Sequence, residues 1–172
     1  MDKKLFSSYR TFEKLGEDRI ANIYYCLHFL RSASIVFDIG TAINVDIFDG
    51  KSYMGGYIIS GFDMERRALQ KDTSLIRIKE KRNFILKSFS PGVSTEECIN
   101  KGIAISKISF IESCIKEVKR NIKRRFLAVV LTGGGCSKLK NLRCFDITDR
   151  DVTLKGLAAA LLSKKIREKH VE

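Results

Sequence analysis

Residues 34–60, S-I-V-F-D-I-G-T-A-I-N-V-D-I-F-D-G-K-S-Y-M-G-G-Y-I-I-S, carry the clearest indication of the fold class. The first six residues of this stretch form a short, mainly apolar run that ends at Gly40, as a buried strand does. Apolar and polar residues then alternate from residue 43 to residue 47, which is the period of a strand. Asp49-Gly50 is a hairpin turn signal, and a third strand-like segment follows at 52–60. The stretch therefore predicts three consecutive strands that form a meander.

Helical patterns flank this meander on both sides. Apolar residues recur at steps of three and four over 15–31, and a second helix is predicted over 61–71. The capping box S-T-E-E at 94–97 opens a long third helix, and a closing helix is predicted over 153–169. The long helix has an inner stripe made of Ile111, Ile115, Val118 and Ile122. The closing helix carries on one face Leu154, Leu157, Ala158, Leu161 and Leu162.

Two further strands complete the prediction. The segment F-L-A-V-V-L at 126–131 is β-branched and apolar, and a short strand is expected within 142–147. Segment 72–93 is ambiguous, with one possible short strand at 83–86. The order is then one helix, three strands, two helices, two strands and a helix, which predicts an α/β fold with a mixed sheet and flanking helices. This order is the pattern of a ribonuclease-H-like domain, the half-unit of the actin-like kinases.

Length and composition fit a single globular domain. The 172 residues are 44% apolar, enough to bury a core. No apolar run reaches the roughly 18 residues that a membrane span needs, and the first residues lack a signal-peptide core. We therefore expect a cytoplasmic protein with no membrane partner. An odd number of cysteines without C-x-x-C spacing predicts free, buried thiols, at Cys26, Cys98, Cys114, Cys136 and Cys144.

The chain is strongly basic. Its formal net charge is +12, with lysines and arginines concentrated in 66–87, 116–125 and 164–169. Such charge can attract nucleic acid or an anionic ligand. No nucleic-acid-binding motif accompanies it, so solvated helix faces are the favoured interpretation and nucleic acid is not a favoured partner.

Two acidic residues are candidates for chemistry. Asp18, in L-G-E-D-R at 15–19, lies in the first turn of the first helix, where an anion is favourable. The bland interpretation is a first-turn acid beside a surface Arg19. The functional one makes Asp18 a general base for a hydroxyl and Arg19 a clamp for an anionic group. Asp38, in F-D-I-G-T-A at 37–42, ends a strand and either holds a cation or caps the turn.

Glycine-rich segments are the second kind of candidate. The amides of the Gly40-Thr41 turn can approach phosphate oxygens closely. In L-T-G-G-G at 131–135, Gly133 and Gly134 allow a flat group such as a nucleobase to lie on the backbone. Thr95 lies at a helix N-terminus that suits a polar or carboxylate ligand. Each pattern taken singly also fits an ordinary turn or cap.

Taken in order, these segments resemble the type III pantothenate kinase family, which is related to the Bvg accessory factors. The resemblance runs from about residue 9 to residue 162. It implies the actin-like ATPase fold of the acetate and sugar kinase, Hsp70 and actin superfamily. A helical lead-in with the substrate-binding G-x-D-R segment would occupy 1–33, and a ribonuclease-H-like domain 34–172. The matching segments are Tyr9, L-G-E-D-R at 15–19, D-I-G-T-A at 38–42, G-G-Y-I at 55–58, S-T at 94–95, L-T-G-G at 131–134 and T-L-K-G-L at 153–157.

The resemblance implies transfer of the ATP γ-phosphoryl group to the 4′-hydroxyl of pantothenate, in coenzyme A biosynthesis. The implied cofactors are ATP, Mg²⁺ and a monovalent cation, K⁺ or NH₄⁺. Asp18 takes the place of the catalytic base and Asp38 that of the cation ligand. The implied pantothenate contacts are Tyr9, Gly16, Glu17, Asp18, Arg19 and Thr95, and the implied nucleotide contacts are Gly40, Thr41, Gly133 and Gly134. The resemblance also implies a homodimer with the cation and substrate sites near its interface.

The sequence departs from the family pattern at three places. Ser94 stands where the family has Asn, and Ser60 where it has Pro. The family opens with a strand bearing D-x-G-N-T, the first phosphate-binding turn, which residues 1–8 do not contain. The N-terminal phosphate-binding domain is therefore expected from elsewhere, for example from a separate chain. Two alternatives stay open: a catalytically impaired pantothenate-binding or regulatory protein, and a ribonuclease-H-like nucleic-acid enzyme, for which the sequence places no clear third carboxylate.

Overall fold

The structure, a computed structural model, describes residues 4–73, 90–122, 126–139 and 141–169, without the side chains of Phe12 and of 164–169. The strand considered at 83–86 lies outside these ranges. The elements are α1 (Glu17–Tyr25), β1 (Ala33–Ile39), β2 (Ala42–Phe48), β3 (Tyr53–Ser60), α2 (Phe62–Asp72), α3 (Thr95–Asn121), β4 (Leu127–Thr132), β5 (Ile147–Thr148) and α4 (Val152–Lys169). A π-helical turn (Cys26–Leu30) extends α1, and short 3-10 helices cover Phe12–Lys14 and Cys136–Lys138. This is the predicted order.

The strands form one five-stranded mixed sheet in the order β3-β2-β1-β4-β5. The meander pairs antiparallel, whereas β4 runs parallel to β1 and β5 parallel to β4. Because β1 and β4 are parallel, their carboxyl ends meet at one edge, where Asp38 pairs with Thr132. We call this edge, with the 40–41 turn and the 133–135 loop, the carboxyl edge.

Helices cover both faces of the sheet. On one face, α3 buries its predicted stripe, Ile111, Ile115, Val118 and Ile122, against β1 and β4. The α3 helix begins as predicted, because the Ser94 side chain accepts a hydrogen bond from the Glu97 amide. On the other face, α1 and α4 cover a second core that includes Val36, Phe48 and Val130. None of the helices in the described ranges is long and apolar enough to cross a membrane.

The leucine face of α4 does not pack on the protein. Leu154, Leu157, Leu161 and Leu162 are 46–66% exposed, whereas Val152 and Ala159 are buried. The reason is a close approach of two helices at Gly156. A Cβ built on Gly156 would lie 1.8 Å from the Ala21 carbonyl oxygen of α1. The small side of α4 therefore faces α1, and the leucines face outward.

Two smaller expectations were wrong. The last strand is Ile147–Thr148 alone, and residues 142–146 form no strand. The backbone and carboxylate of Asp146 instead bond to Val129, which ends that segment against β4. All five cysteines are free thiols, as expected, but Cys98 is exposed and Cys144 only partly buried.

Candidate functional site

Polar side chains gather at the carboxyl edge, on the face that α1 covers. Asn44, Asp38 and Thr132 are register partners on β2, β1 and β4. Side chains at paired positions share a face of the sheet, so these three form a row. The first turn of α1 lies over this row. A hydrogen bond from the Asn44 amide to Asp18 Oδ2, at 3.3 Å, shows this placement. The structure thus brings together the two acids that the sequence singled out, Asp18 and Asp38.

These two carboxylates differ in their surroundings. Asp18 is exposed in the first turn of α1, where a ligand can reach it. Burial raises the pKa of Asp38, the nearby Asn22 amide lowers it, and the negative charge of Asp18 raises it again. Asp38 is therefore close enough to Asp18 for their charges to interact. Asp18 is therefore open to solvent, whereas Asp38 is partly buried beneath α1.

Arg19 lies in a buried ionic cluster, which overturns its interpretation as a surface residue. It is 6% exposed, and its Nε donates to Asp46 Oδ1 at 2.7 Å. Its Nη2 donates to the Tyr53 hydroxyl at 2.6 Å, and that hydroxyl donates to Asp46 Oδ1 at 3.0 Å. Burial lowers the pKa of Arg19, but the charge and hydrogen bond of Asp46 act together with Tyr53 and Tyr9 to raise it, so the net shift is upward. Sequence reasoning missed both Asp46 and Tyr53 as partners of Arg19.

The other residues that the resemblance assigns to pantothenate binding lie at different distances from the Arg19 cluster. The Tyr9 ring packs against Tyr53 with 5.4 Å between centroids, so Tyr9 adjoins the Arg19 cluster. Gly16 is the N-cap of α1, and Glu17 is its exposed first residue. Thr95 is exposed at the start of α3, and no hydrogen bond recorded for the described residues links it to α1.

One buried side-chain oxygen beneath α1, Thr132 Oγ1, has no hydrogen-bond partner among the described residues. The Asn22 amide misses strict hydrogen-bond geometry, but it is close enough to Asp38 and Asp46 to lower the pKa of both. A buried polar atom left unpaired costs about 1–3 kcal/mol, so such atoms favour a bound water or ion. Thr132 is the register partner of Asp38, and a hard cation takes oxygen ligands of these two kinds. The pair fits a monovalent cation. No group of three or more acidic, histidine or cysteine side chains converges within the described ranges.

The glycine loop after β4 is locked onto the end of β1. The Gly135 amide donates to the Ile39 carbonyl at 2.8 Å. Gly133 has a φ of +89°, and a Cβ there would lie 2.3 Å from Asp38 Oδ1. Only glycine combines this left-handed backbone with so close an approach. The loop therefore helps to fix the position of the Asp38 carboxylate.

A cavity of about 270 Å³ opens at the same edge, next to the core of the α3 face. It contains three of the four residues predicted to bind nucleotide, Gly40, Thr41 and Gly134. The fourth, Gly133, lies between this cavity and Asp38. The full lining is Ile39, Gly40, Thr41, Phe62, Asp63, Arg67, Gly134, Gly135 and Lys138. Backbone amides with two basic side chains suit an anionic ligand.

A mixed sheet with flanking helices and two glycine turns at its carboxyl edge defines an α/β protein with a candidate ligand site at that edge. A family model of type III pantothenate kinase matches residues 1–117. The chain belongs to the type III pantothenate kinase family.

Individual relatives agree with this assignment. Type III pantothenate kinases of Kosmotoga olearia and Thermosipho melanesiensis are 34% and 35% identical over 147 residues, which are 84% of this chain and 54% and 57% of those proteins. The enzyme of Petrotoga mobilis is 33% identical over 91% of this chain and 59% of its own length. The chain thus spans somewhat more than half the length of these relatives.

The fold also has a counterpart among solved structures. The crystal structure of a conserved Baf family protein from Campylobacter jejuni superposes with a TM-score of 0.60 at 21% identity. The alignment covers 94% of this chain and 68% of that protein. At this identity the likeness concerns the fold alone.

Replacing Asp46 with asparagine is expected to lower the free energy of unfolding by about 2 kcal/mol, because Arg19 loses its charged partner in a buried site. The asparagine oxygen still accepts a hydrogen bond, which limits the loss. The matched control is Glu117→Gln, since Glu117 pairs with Arg120 on the surface and should cost less than about 1 kcal/mol. Urea unfolding measures both. Equal losses would contradict a specific role for the buried cluster.

Proposed function

We propose that this chain forms the pantothenate side and part of the nucleotide side of an ATP-dependent pantothenate kinase. The reaction transfers the γ-phosphoryl group of ATP to the 4′-hydroxyl of pantothenate, in coenzyme A biosynthesis. The supporting observation is the arrangement of the carboxyl edge. Asp38 lies close to two features of this edge. The exposed carboxylate of Asp18 is near enough for its charge to act on Asp38. Gly133, which comes directly before the cavity-lining Gly134, approaches the Asp38 carboxylate closely. A hydroxyl acceptor and a phosphate donor can thus approach each other there.

Asp18 is proposed as the general base that takes the proton of the attacking hydroxyl. The Asn44 amide contacts one carboxylate oxygen, Oδ2, which orients the group while it stays exposed. A positioned base contributes about 10²–10⁴-fold, whereas positioning and charge stabilisation supply most of phosphoryl transfer. The proton therefore moves from the pantothenate hydroxyl to Asp18 as the oxygen attacks the phosphorus.

The remaining acceptor residues are proposed to hold pantothenate itself. Arg19 Nε and Nη2 are bonded within the protein, so Nη1 is the nitrogen that we propose for the substrate. Asp46 and Tyr53 fix the guanidinium, which lowers the cost of ordering it when substrate binds. The proposed pantothenate contacts are Tyr9, Gly16, Glu17, Asp18, Arg19 and Thr95.

The nucleotide and the ions are proposed to bind on the other side of Asp38. Thr41, Gly133 and Gly134 are proposed to present backbone amides and one hydroxyl toward phosphate or ribose groups. The Gly40 amide donates to the Ala42 carbonyl at 2.9 Å, so Gly40 contributes close approach and no hydrogen bond. Asp38 and Thr132 would hold K⁺ or NH₄⁺, which supplies positive charge beside the phosphates. Mg²⁺ is proposed to arrive with the nucleotide phosphates, as is usual for that ion.

Membership of the family also supports proposals about domain organisation, cellular location and assembly. We propose that residues 34–172 form a ribonuclease-H-like domain of the actin-like ATPase superfamily, with 1–33 as the lead-in that carries the acceptor segment. We also propose a cytoplasmic homodimer. These 172 residues contain no D-x-G-N-T turn, and we propose that a segment or chain that bears one would complete the nucleotide site. A purely regulatory role is not favoured, since the relatives are described as pantothenate kinases.

Calorimetric titration of pantothenate into the 172-residue chain tests the acceptor half by itself. We expect saturable binding at one site per chain. Tyr9→Phe should weaken it about fivefold, because one hydrogen bond contributes about 1 kcal/mol. Tyr57→Phe is the control, since Tyr57 is exposed on β3 and packs on Phe110 instead. Absence of saturable pantothenate binding would contradict the acceptor site.

A further inference from the structure

The cavity at the carboxyl edge is lined by charged side chains as well as by glycines. Two basic side chains and one acidic side chain line it, Arg67, Lys138 and Asp63. Its backbone walls supply amides and no formal charge, so the net charge of the lining is positive, which favours an anion. At about 270 Å³, the cavity is near the small end of ligand pockets, roughly 300–1,000 Å³. It therefore suits a phosphate-sized part of a ligand better than a whole nucleotide.

Lys138 is the basic group that the fold holds most firmly at this cavity. It ends the 3-10 helix Cys136–Lys138, directly after the glycine loop. Its Nζ lies 2.9 Å from Asp63 Oδ2 and 5.3 Å from the centroid of the Phe62 ring. The side chain of Lys138 is 19% exposed, whereas that of Asp63 is 56% exposed. The lysine is thus kept at the cavity wall, and its counter-ion faces water.

The pairing of Lys138 with Asp63 is ionic but weak. The hydrogen bond from Lys138 lowers the pKa of Asp63, and Arg66 and Arg67 lower it as well, so Asp63 is ionised at neutral pH. Ion pairs open to water contribute little net stability, because solvent competes for both partners. A phosphate carries more charge than a carboxylate and accepts stronger charge-assisted hydrogen bonds. A phosphate that enters the cavity can therefore displace Asp63 from the lysine.

We propose that Lys138 is a ligand for a phosphate group of the bound nucleotide, and that Asp63 holds this lysine at the cavity until the nucleotide replaces it. Arg67, which lines the same cavity, supplies a second positive charge. The inference rests on the proposed function, because it takes the cavity to be the nucleotide site. It extends that function by adding side-chain cations to the backbone amides and the one hydroxyl proposed for the phosphate site. It also predicts that Asp63 competes with the ligand.

The test is a titration of the full chain with ADP, followed by the amide NMR signals of the glycines around the cavity. Lys138→Gln should weaken ADP binding about tenfold, as expected for the loss of a charged hydrogen bond. Asp63→Asn should tighten it, by about threefold, since a weak competing pair is worth under 1 kcal/mol. The double variant should bind as weakly as Lys138→Gln. Adenosine, which lacks phosphate, should bind all variants alike.

Lys155→Gln is the control, because Lys155 also forms an ion pair with an aspartate, Asp149, and does not line the cavity. Unchanged ADP binding in Lys138→Gln would overturn the inference and leave the nucleotide site in place. Loss of adenosine binding as well would overturn it too, since the effect would then not concern phosphate. If the wild-type chain binds pantothenate but not ADP, both the inference and the nucleotide half of the proposed function fail, and the acceptor half stands.

Discussion

Replacing Gly133 with alanine is expected to lower the free energy of unfolding by about 4 kcal/mol. The left-handed backbone at φ +89° costs a non-glycine residue about 1–2 kcal/mol. The added Cβ would also lie 2.3 Å from Asp38 Oδ1, 2.7 Å from the Ile39 carbonyl oxygen and 2.8 Å from the Ile39 nitrogen. Two of these atoms belong to the backbone of β1, so side-chain rotation cannot relieve the clash, and overpacking adds about 1–3 kcal/mol.

Gly134 is the control for this substitution. No atom lies within 4 Å of a Cβ built there, and its φ is not in the left-handed region. Gly134→Ala should therefore be neutral or stabilise by up to about 1 kcal/mol. Chemical unfolding of both variants gives the comparison. If Gly133→Ala were as stable as Gly134→Ala, the loop would not be locked against β1, and the account of how Asp38 is positioned would be wrong.

Gly156→Ala is the second large effect, with an expected loss of about 3 kcal/mol. Alanine is the better helix former, by about 1 kcal/mol, so propensity alone predicts a gain. The steric clash outweighs this gain in stability, because a Cβ would lie 1.8 Å from the Ala21 carbonyl oxygen and 3.2 Å from Tyr25 Cβ. Relief requires α4 to move away from α1. That movement should also disturb the hydrogen bond from Thr153 Oγ1 to Asn22 Oδ1, at 2.9 Å.

Gly102→Ala is the control for this substitution, and we expect it to have the opposite effect on stability. Gly102 lies inside α3, and nothing lies within 4 Å of a Cβ built on it. Gly102→Ala should therefore stabilise the chain by up to about 1 kcal/mol. Thermal unfolding should move in opposite directions for the two variants. A stabilised Gly156→Ala would mean that α1 and α4 are not in close contact, and that α1 is positioned in some other way.

Much of the fold follows from local patterns. The meander could be predicted because residues 43–47 alternate between apolar and polar and Asp49-Gly50 marks the turn between β2 and β3. The start of α3 could be predicted because its capping box is a local signal, and the structure forms that cap. Asp18 and Asp38 stood out because each lies at the end of an element, where functional groups collect at one edge of a sheet.

What could not be predicted depends on tertiary packing. In the alternation of β2, Asp46 has the pattern of a solvent-facing residue, yet α1 covers that face and buries Arg19 with it. The sequence places the leucines of α4 on one face without showing where that face points, and the approach at Gly156 turns the small side inward. Lys138 and Asp63 are 75 residues apart, so no local pattern could pair them.

Pantothenate-dependent release of ADP from ATP, with K⁺ and Mg²⁺, is the direct test of the proposed acceptor site. The 172-residue chain is assayed together with the D-x-G-N-T-bearing half of a relative, beside Asp18→Asn and the surface control Asp151→Asn. The account predicts release that requires pantothenate, falls about 100-fold or more in Asp18→Asn, and is unchanged in Asp151→Asn. Asp18→Asn should still bind pantothenate. Release at the wild-type rate in Asp18→Asn, or none from the wild-type mixture, would contradict the claim that this edge carries the kinase acceptor site.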